Sequence, residues 1–207
     1  ICLIYFSFTE YNMLSMPEWI GIKNYIEIFT KDKKFIDSLK VTFTYVLVSV
    51  PLKLLAALLV AMLLNQKRKG IGVYRTLFYI PSIIGGSVAV AVMWRNLFSR
   101  TGAFNALIEM ITGINVDISW VADPKTALGS LILMAIWQFG SPMLIFLAGL
   151  KNISSSYYEA ATVDGANKMQ CFISITLPML SPIILFNLVM QMINGFMTFT
   201  QGLVVTN

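Results

Sequence analysis

The sequence contains no histidine and only two cysteines, and these scarcities exclude much of the chemistry that proteins perform. Without histidine or a cysteine cluster, the usual zinc ligands and the usual base for a nucleophile are missing. No pair of carboxylates falls inside a long apolar run, so a proton relay also lacks its groups. Cys2 and Cys171 fall on or near opposite faces in any alternating topology, and we interpret them as small apolar residues. We therefore expect no catalytic residues, no metal site and no enzyme.

Charged residues are scarce as well. They make up 12% of the 207 residues, against about a quarter in an ordinary soluble domain, whereas 57% are hydrophobic. About 20 apolar residues cross a bilayer as a helix. Runs near that length occupy 41–64, 73–94, 127–150 and 179–200, and a shorter run occupies 1–9. The cations behind the net charge of +5 lie scattered at the ends of these runs, which favours interfacial anchoring over nucleic-acid binding.

These runs predict an all-α, polytopic membrane protein in which residues 1–207 form one transmembrane domain. Only helices and closed barrels satisfy the backbone in hydrocarbon, and the runs are too long for barrel strands. Because the chain starts at Ile1, not Met, and Asn207 follows apolar residues without a stop, we expect both ends to be truncations and a terminal helix to be missing. Proline and glycine mark candidate kinks or close helix contacts within the spans. They are Pro51, Pro81, Gly85, Gly86, Gly140, Pro142 and Pro182.

The basic residues indicate an orientation. A dense cluster with no acid nearby marks the turn 65–72 as cytoplasmic by the positive-inside rule. It consists of Lys67, Arg68, Lys69 and Arg75. Alternation then places 151–178 inside and the connections 10–40 and 95–126 outside. The connection 10–40 has lysines of its own that count against this assignment, but short turns at helix ends follow the rule best.

The connection 151–178 is a polar interruption with helix signals. Ser156 followed by Glu159 has the spacing of a capping box, and Gly165 suits a left-handed helix end. A second amphipathic piece at about 166–176 should be closed by Pro178 before the next span. The pattern predicts two short helices, bent at a glycine, that lie across the membrane face.

These same residues carry a resemblance. Glu159-Ala160-Ala161, Gly165, Ile175 and Leu177-Pro178 stand at the spacing of the EAA loop in permease subunits of binding-protein-dependent ABC importers. The fuller wording "YEAATVDGA" with "ITLP" is similar to the carbohydrate branch, the maltose- and glycerol-3-phosphate-type permeases. The stretches "WIGIKNYIEIF" at 19–29, "RTLFYIPSIIGGSVAVAVMWRNLF" at 75–98 and "LAGLKNIS" at 147–154 resemble the same branch. The resemblance implies a type I ABC importer fold, with about five of its six core helices present.

The resemblance also implies partners and a mechanism. In that family the EAA loop docks into a groove of a cytoplasmic ABC ATPase dimer, and here Glu159, Ala160, Ala161, Asp164 and Gly165 would form the contact. For Glu159, the capping box is an equal and compatible role. Further expected partners are a second permease subunit, most simply in a heterodimer, an extracytoplasmic solute-binding protein, a sugar or oligosaccharide, and the lipid of a bacterial or archaeal cytoplasmic membrane. No phosphate-binding loop is present in this chain, so we expect no cofactor, and ATP to be bound by the partner ATPase.

A polar stripe on the last run is the candidate substrate path. Asn187, Gln191, Asn194 and Thr198 are spaced to share one helix face, which should avoid lipid. Uncharged hydrogen-bonding groups suit sugar hydroxyls, and the matching helix of maltose-type permeases contacts substrate. Because the residue types differ there, the sugar stays open. On the preceding run, Trp137, Gln138 and Ser141 surround a glycine and proline and could join the path. The alternative for all of them is hydrogen bonding between helices.

Lys53 is a cation near the middle of its run, which marks it for attention. No acid occurs within any run to pair with it, and we favour a structural role, towards a helix end or backbone carbonyls, over a substrate role. The alternative function for the whole chain is an ion-coupled secondary transporter of a small polar solute, although the intramembrane acid or broken-helix ion site that it needs is not apparent. The EAA pattern disfavours a channel or a purely structural subunit.

Overall fold

The computed structural model describes residues 2–12, 16–66, 69–115 and 117–198. Lys67 and Arg68 of the basic turn, and the last two positions of the predicted run 179–200, lie outside the described residues. The chain divides into two compact units, Ile1–Thr44 and Tyr45–Asn207. Each is described by itself.

The first unit is a small aromatic assembly of short elements. It contains helix α1 (Cys2–Ser7), strands β1 (Thr9–Glu10) and β2 (Glu18–Trp19), helix α2 (Lys23–Thr30) and the first turns of helix α3 (Lys33–Leu64). The strands pair antiparallel, with Thr9 opposite Trp19. The Asn24 amide donates hydrogen bonds to the carbonyls of Ser7 (3.0 Å) and Thr9 (3.1 Å) and so ties α2 to the start of the chain. The predicted connection 10–40 therefore carries local structure of its own.

All the regular elements in the described part of the second unit are helices. After the rest of α3 it contains α4 (Ile71–Ile84), α5 (Val88–Leu97), α6 (Ala103–Thr112), α7 (Ala127–Trp137), α8 (Gly140–Asn152), α9 (Ser155–Val163), α10 (Lys168–Cys171), a π-helical turn (Phe172–Thr176) and α11 (Leu177–Phe196). Helix α3 and the continuous helix Lys168–Phe196 are each long and apolar enough to cross a membrane. The pairs α4–α5 and α7–α8 would add two more spans if each bent pair counts as one.

Two of the predicted runs are broken where glycine was expected to kink them. Helices α4 and α5 meet at 99° across Gly85–Ser87, and α7 and α8 meet at 42° just before Gly140. The Ser87 hydroxyl caps α5 by accepting a hydrogen bond from the backbone N–H of Val90 at 3.3 Å. The kinks at Gly85–Gly86 and near Gly140 are thus confirmed, whereas Pro51 and Pro81 lie inside continuous helices.

The main core lies where α3, α8 and α11 pack together. Val46, Val50, Met143, Phe146 and Leu180 are buried there. Small residues let the helices approach closely. This is expected in lipid, where helices associate through van der Waals packing because the hydrophobic effect does not drive them together. A Cβ on Gly195 of α11 would lie 3.1 Å from the Val46 side chain, and one on Gly149 of α8 would collide with the Ile183 side chain.

A second core, built from aromatic rings, occupies the region around 94–121. Trp94 stacks on Phe98 with ring centroids 5.1 Å apart, and Phe104 bridges Phe98 and Trp120 edge to face. Buried Asn105 holds this region together, because its amide donates to the carbonyls of Arg100 (2.9 Å) and Ile118 (2.8 Å) and its oxygen accepts from the Trp120 indole. The predicted connection 95–126 therefore contains a folded helix, α6, around a hydrogen-bonded centre.

Candidate functional site

A polar cavity of about 410 Å³ opens within the second unit, between α3, α4, the α7–α8 break and α11. This volume is in the range of small-molecule sites in proteins. Its polar lining consists of Tyr45, Ser49, Lys53, Ser82, Gln138, Ser141, Gln191, Asn194 and Thr198. The bundle thus gathers nine hydrogen-bonding side chains around one space.

Two polar stripes face each other across this cavity. Helix α3 contributes Tyr45, Ser49 and Lys53, which repeat every four residues and so share one face of the helix. Helix α11 contributes Gln191 and Asn194, and Thr198 follows just after its end. Tyr45 of α3 and Thr198 line the same cavity, so both stripes contribute to it.

The predicted stripe on α11 is divided by the structure. Gln191, only 8% exposed, lines the cavity together with Asn194 and Thr198. Asn187, one turn away, has 0% exposure and does not line it. Neither the nitrogen nor the oxygen of its amide has a hydrogen-bond partner among the described residues. Asn187 is thus a buried amide beside the cavity, in the interior of the bundle.

The break between α7 and α8 supplies the third wall. The Ser82 hydroxyl of α4 donates to the Gln138 carbonyl and accepts from the Ser141 backbone N–H, both at 3.0 Å. It thereby satisfies backbone groups that the interrupted helix leaves open. Helix α4 can come this close because residue 140 is glycine: a Cβ there would lie 2.6 Å from the Phe78 carbonyl oxygen. Gln138 and Ser141, both predicted for the path, are placed at the cavity by these contacts.

Trp137 is not part of the cavity lining. Its ring packs edge to face on Trp94, with centroids 5.5 Å apart, in the aromatic core. Three polar lining residues, Tyr45, Ser49 and Ser82, were not predicted from the sequence. The spacing of four between Tyr45, Ser49 and Lys53 is the signal that could have identified the α3 stripe.

The side chains of Gln191, Asn194 and Lys53 are open to a ligand. Across the part of the chain that the structure describes, none of the three side chains forms a hydrogen bond or an ion pair. The predicted contact of Lys53 with backbone carbonyls or a helix end is therefore wrong for the described residues. Lys53 instead lines the cavity, because its position on α3 shares a face with Ser49 and Tyr45.

The segment 151–176 forms the second candidate functional region, and its first helix begins earlier than predicted. Ser154, not Ser156, caps α9, since its hydroxyl accepts from the Ser156 backbone N–H at 3.4 Å. The predicted capping box of Ser156 and Glu159 is therefore wrong, and Glu159 remains exposed. The capping box of this segment lies instead at α10, where Asn167 and Gln170 bond each other's backbone N–H groups at 2.9 and 2.7 Å.

The glycine bend between the two helices is confirmed. Gly165 has φ of +79°, the left-handed conformation that glycine adopts without strain. The N–H of Ala166 bonds the Ala161 carbonyl (2.9 Å) and that of Gly165 bonds the Thr162 carbonyl (3.1 Å). These two bonds form a Schellman motif that closes the end of α9.

The sequence predicted that Pro178 closes the second helix, and this prediction is wrong. The helix continues without interruption from Lys168 to Phe196. A proline in an α-helix clashes with the carbonyl four residues before it, and here a π-helical turn at Phe172–Thr176 widens the backbone just ahead of it. Leu177 accordingly donates its N–H to the Phe172 carbonyl, five residues back.

One side-chain contact joins α9 to this π-helical turn. The hydroxyls of Tyr158 and buried Thr176 form a hydrogen bond of 2.8 Å across 18 residues of sequence. Outward from this contact, Glu159, Ala160, Asp164 and Gly165 are exposed, and Ala161 is half-buried. Val163 and Met169 are 87% and 64% exposed. The segment thus presents an apolar and acidic surface to its surroundings, held in shape by bonds within the chain.

The basic turn and this segment lie at the same end of the second unit. Asn65, Gln66 and Arg75, from the turn and the start of α4, line one cavity together with Lys151 and Tyr158. The structure therefore agrees with a topology in which the turn and the segment share one side.

A membrane-spanning helical bundle with a polar cavity and an exposed two-helix segment at one end is the architecture of a transport subunit. Residues 27–207 match the family described as binding-protein-dependent transport system inner membrane component, and the chain belongs to this family.

Individual relatives agree with this assignment. The chain is 59% identical over 203 residues to the probable ABC transporter permease protein YesP of Bacillus subtilis. The matched residues cover 98% of this chain and 65% of the relative. It is 32% identical over 195 residues to the lactose transport system permease protein LacF of Rhizobium radiobacter, covering 90% of this chain and 65% of that one. The chain thus spans just under two thirds of the length of these relatives.

Solved structures share the fold. The chain superposes, with a TM-score of 0.78 and 24% identity, on a chain in the crystal structure of a bacterial ABC transporter that imports the acidic polysaccharide alginate. The match covers 95% of this chain and 66% of the other. The fold is that of the type I ABC importer permeases.

Proposed function

We propose that this chain is a transmembrane subunit of an ATP-driven importer, and that its cavity passes sugars or oligosaccharides into the cell. The observation that carries the proposal is the cavity lining: Gln191, Asn194 and Ser49 offer amide and hydroxyl groups towards one space. Such groups donate and accept hydrogen bonds, as the hydroxyls of a sugar require. Relatives of the chain are named as permeases for lactose, starch degradation products and arabinooligosaccharides, which supports this substrate class.

The segment 151–176 is the proposed contact with a cytoplasmic ABC ATPase. Glu159 is exposed and makes no bond to any described residue, so its carboxylate is available to a cation of the partner. Ala160 and Ala161 leave room for close approach of the partner surface. The bend at Gly165 turns α10 away from α9, and the Schellman motif fixes the angle of that turn. In this proposal ATP is bound and hydrolysed by the partner, and this chain carries no cofactor.

A single helix joins the proposed motor contact to the cavity. The continuous helix Lys168–Phe196 has 29 residues and is about 43 Å long at 1.5 Å per residue. Its first turn belongs to the contact segment, and Gln191 and Asn194 lie near its other end. A displacement of the segment therefore moves the cavity wall directly, because both belong to one helix. The breaks at Gly85–Ser87 and before Gly140 let the facing walls respond.

The remaining partners follow from the family. A second permease subunit would complete the pathway, and an extracytoplasmic solute-binding protein would deliver the sugar. The solved alginate transporter was crystallised in complex with a periplasmic protein bound to an alginate pentasaccharide, an arrangement that supports the same role here.

The function is tested by uptake in the complete transporter reconstituted into vesicles. We expect sugar uptake to require ATP inside the vesicle and to persist when ion gradients are dissipated at constant ATP. Uptake that collapses with the gradient would support ion-coupled secondary transport instead. As a control, the purified chain alone should show no ATP hydrolysis above that of empty detergent.

A further inference from the structure

We propose that the cavity accepts a sugar that carries a carboxylate, a uronate, and that Lys53 is the side chain that pairs with this carboxylate. The inference rests on the proposed import of sugars, and it specifies in addition that the imported sugar is negatively charged.

The first step is that Lys53 has no counter-charge among the described residues. It lines the cavity and forms no ion pair within the described residues. The sequence contains no Asp or Glu between Asp37 and Glu109, none between Asp123 and Glu159, and none after Asp164. The nearest acid on a helix that surrounds the cavity is Asp37, 16 residues before Lys53 on α3 and so about 24 Å away along that helix. A lysine inside a membrane protein normally pairs with an acid or marks a substrate or ion pathway.

The second step concerns the kind of anion. Around Lys53 the lining groups are neutral, with Ser49 and Tyr45 on the same helix and Gln191 and Asn194 opposite. Neutral amides and hydroxyls suit the ring hydroxyls of a sugar, and a single ammonium suits a single negative charge. A uronate carries one negative charge, on a carboxylate that replaces the hydroxymethyl group of the ordinary sugar. A phosphorylated sugar carries nearly two charges and would leave part of that charge unpaired here.

The experiment compares matched disaccharides that differ only in one such oxidation, at the non-reducing sugar: mannuronosyl-mannose with mannobiose, and galacturonosyl-galactose with galactobiose of the same linkage. Uptake is measured in the complete transporter with its binding protein. We expect the wild type to prefer the uronate of at least one pair by about tenfold or more, the ratio that one charge-assisted hydrogen bond provides. Lys53→Met should lower this ratio about tenfold, and Lys53→Arg should retain most of it.

A control variant removes a lysine from the same helix outside the cavity. Lys40 is exposed and sits beside Asp37 on α3, so Lys40→Met should leave the uronate ratio at its wild-type value. If Lys53→Met does not accumulate in the membrane, Lys53→Gln is measured in its place and should lower the uronate ratio likewise.

Two results would overturn the inference while leaving sugar import intact. One is wild-type uptake of the neutral sugars with no preference for either uronate. The other is a Lys53→Met variant that lowers uptake of both members of a pair equally, which would assign Lys53 to a contact with the second permease subunit. Absence of uptake for every sugar, neutral or acidic, would count against the proposed function itself and, with it, the inference.

Discussion

Two polar regions interrupt this apolar chain, the segment 151–176 and the cavity walls, and they treat their polar groups in opposite ways. In the segment, Asn167 and Gln170 bond each other reciprocally, and Tyr158 bonds Thr176. At the cavity, Gln191 and Lys53 make no bond to any residue that the structure describes. The first region uses its polar groups to hold its own shape, and the second leaves them open to a ligand.

Apolar groups show the reverse distribution. The segment exposes Val163 and Met169, which would be buried only by a partner surface. In the cavity wall nine polar side chains stand beside only three apolar ones, Val50, Ala135 and Met197. This difference fits the proposed roles, contact with a partner protein for the segment and binding of a polar solute for the cavity.

The largest effect is expected when the bend in the segment is removed. Gly165→Val places a β-branched residue at φ +79°, which costs about 1–2 kcal/mol or more and opposes the Schellman motif. We expect uptake by the assembled transporter to fall about tenfold or more, with the preference among sugars unchanged. Uptake and ATPase activity stimulated by sugar-loaded binding protein are the measurements.

The matched control is Gly165→Asn, since asparagine tolerates the left-handed region. A Cβ at this position meets no atom within 4 Å, so the control adds no clash within the chain. Wild-type uptake by the valine variant would show that the bend is not needed. An equal loss in the asparagine variant would assign the effect to steric exclusion of the partner.

An intermediate effect is expected from shortening the open amides of the cavity. Gln191→Ala or Asn194→Ala removes one neutral hydrogen bond to the sugar, about 0.5–1.5 kcal/mol, so KM for uptake should rise about two- to tenfold. Met190→Ala, an exposed neighbour on the same helix, is the control and should leave KM at its wild-type value. If neither amide variant changes KM, these amides serve helix packing and not the sugar.

The smallest effect is expected at the contact between α9 and the π-helical turn. Tyr158→Phe deletes the hydroxyl bonded to Thr176 and should lower the free energy of unfolding by about 0.5–1.5 kcal/mol, read as a lower Tm in detergent. Tyr157→Phe removes a hydroxyl from an exposed neighbouring ring and should leave Tm unchanged. A double-mutant cycle with Thr176→Val isolates the pair, and a coupling energy of zero would refute the contact.

The sequence predicted those features that local chemistry or periodicity determines. The helical bundle follows from run length, the left-handed Gly165 from its place after Asp164, and the shared face of Gln191, Asn194 and Thr198 from spacing alone. The start of α9 was predicted wrongly because Ser154, Ser155 and Ser156 are equally good caps. Only the path of the chain from α8 selects among them.

Other features depend on contacts that no local pattern encodes. The continuation through Pro178 requires the π-helical turn, and Trp137 turns away from the cavity because Trp94 lies beside it. Lys53 could be identified as unusual, but its place in the cavity follows from the packing of α3 against α11. Tertiary contacts therefore determine which of the predicted polar residues meet.

The buried amide of Asn187 has an energetic consequence for the transport cycle. Leaving a buried polar group unpaired costs about 1–3 kcal/mol, and both atoms of this amide lack a partner among the described residues. An alternative arrangement of the bundle that gave Asn187 a hydrogen bond would be favoured by that amount, which is about a 5- to 150-fold change in population. In the described conformation, the packing around Asn187 has to offset this cost.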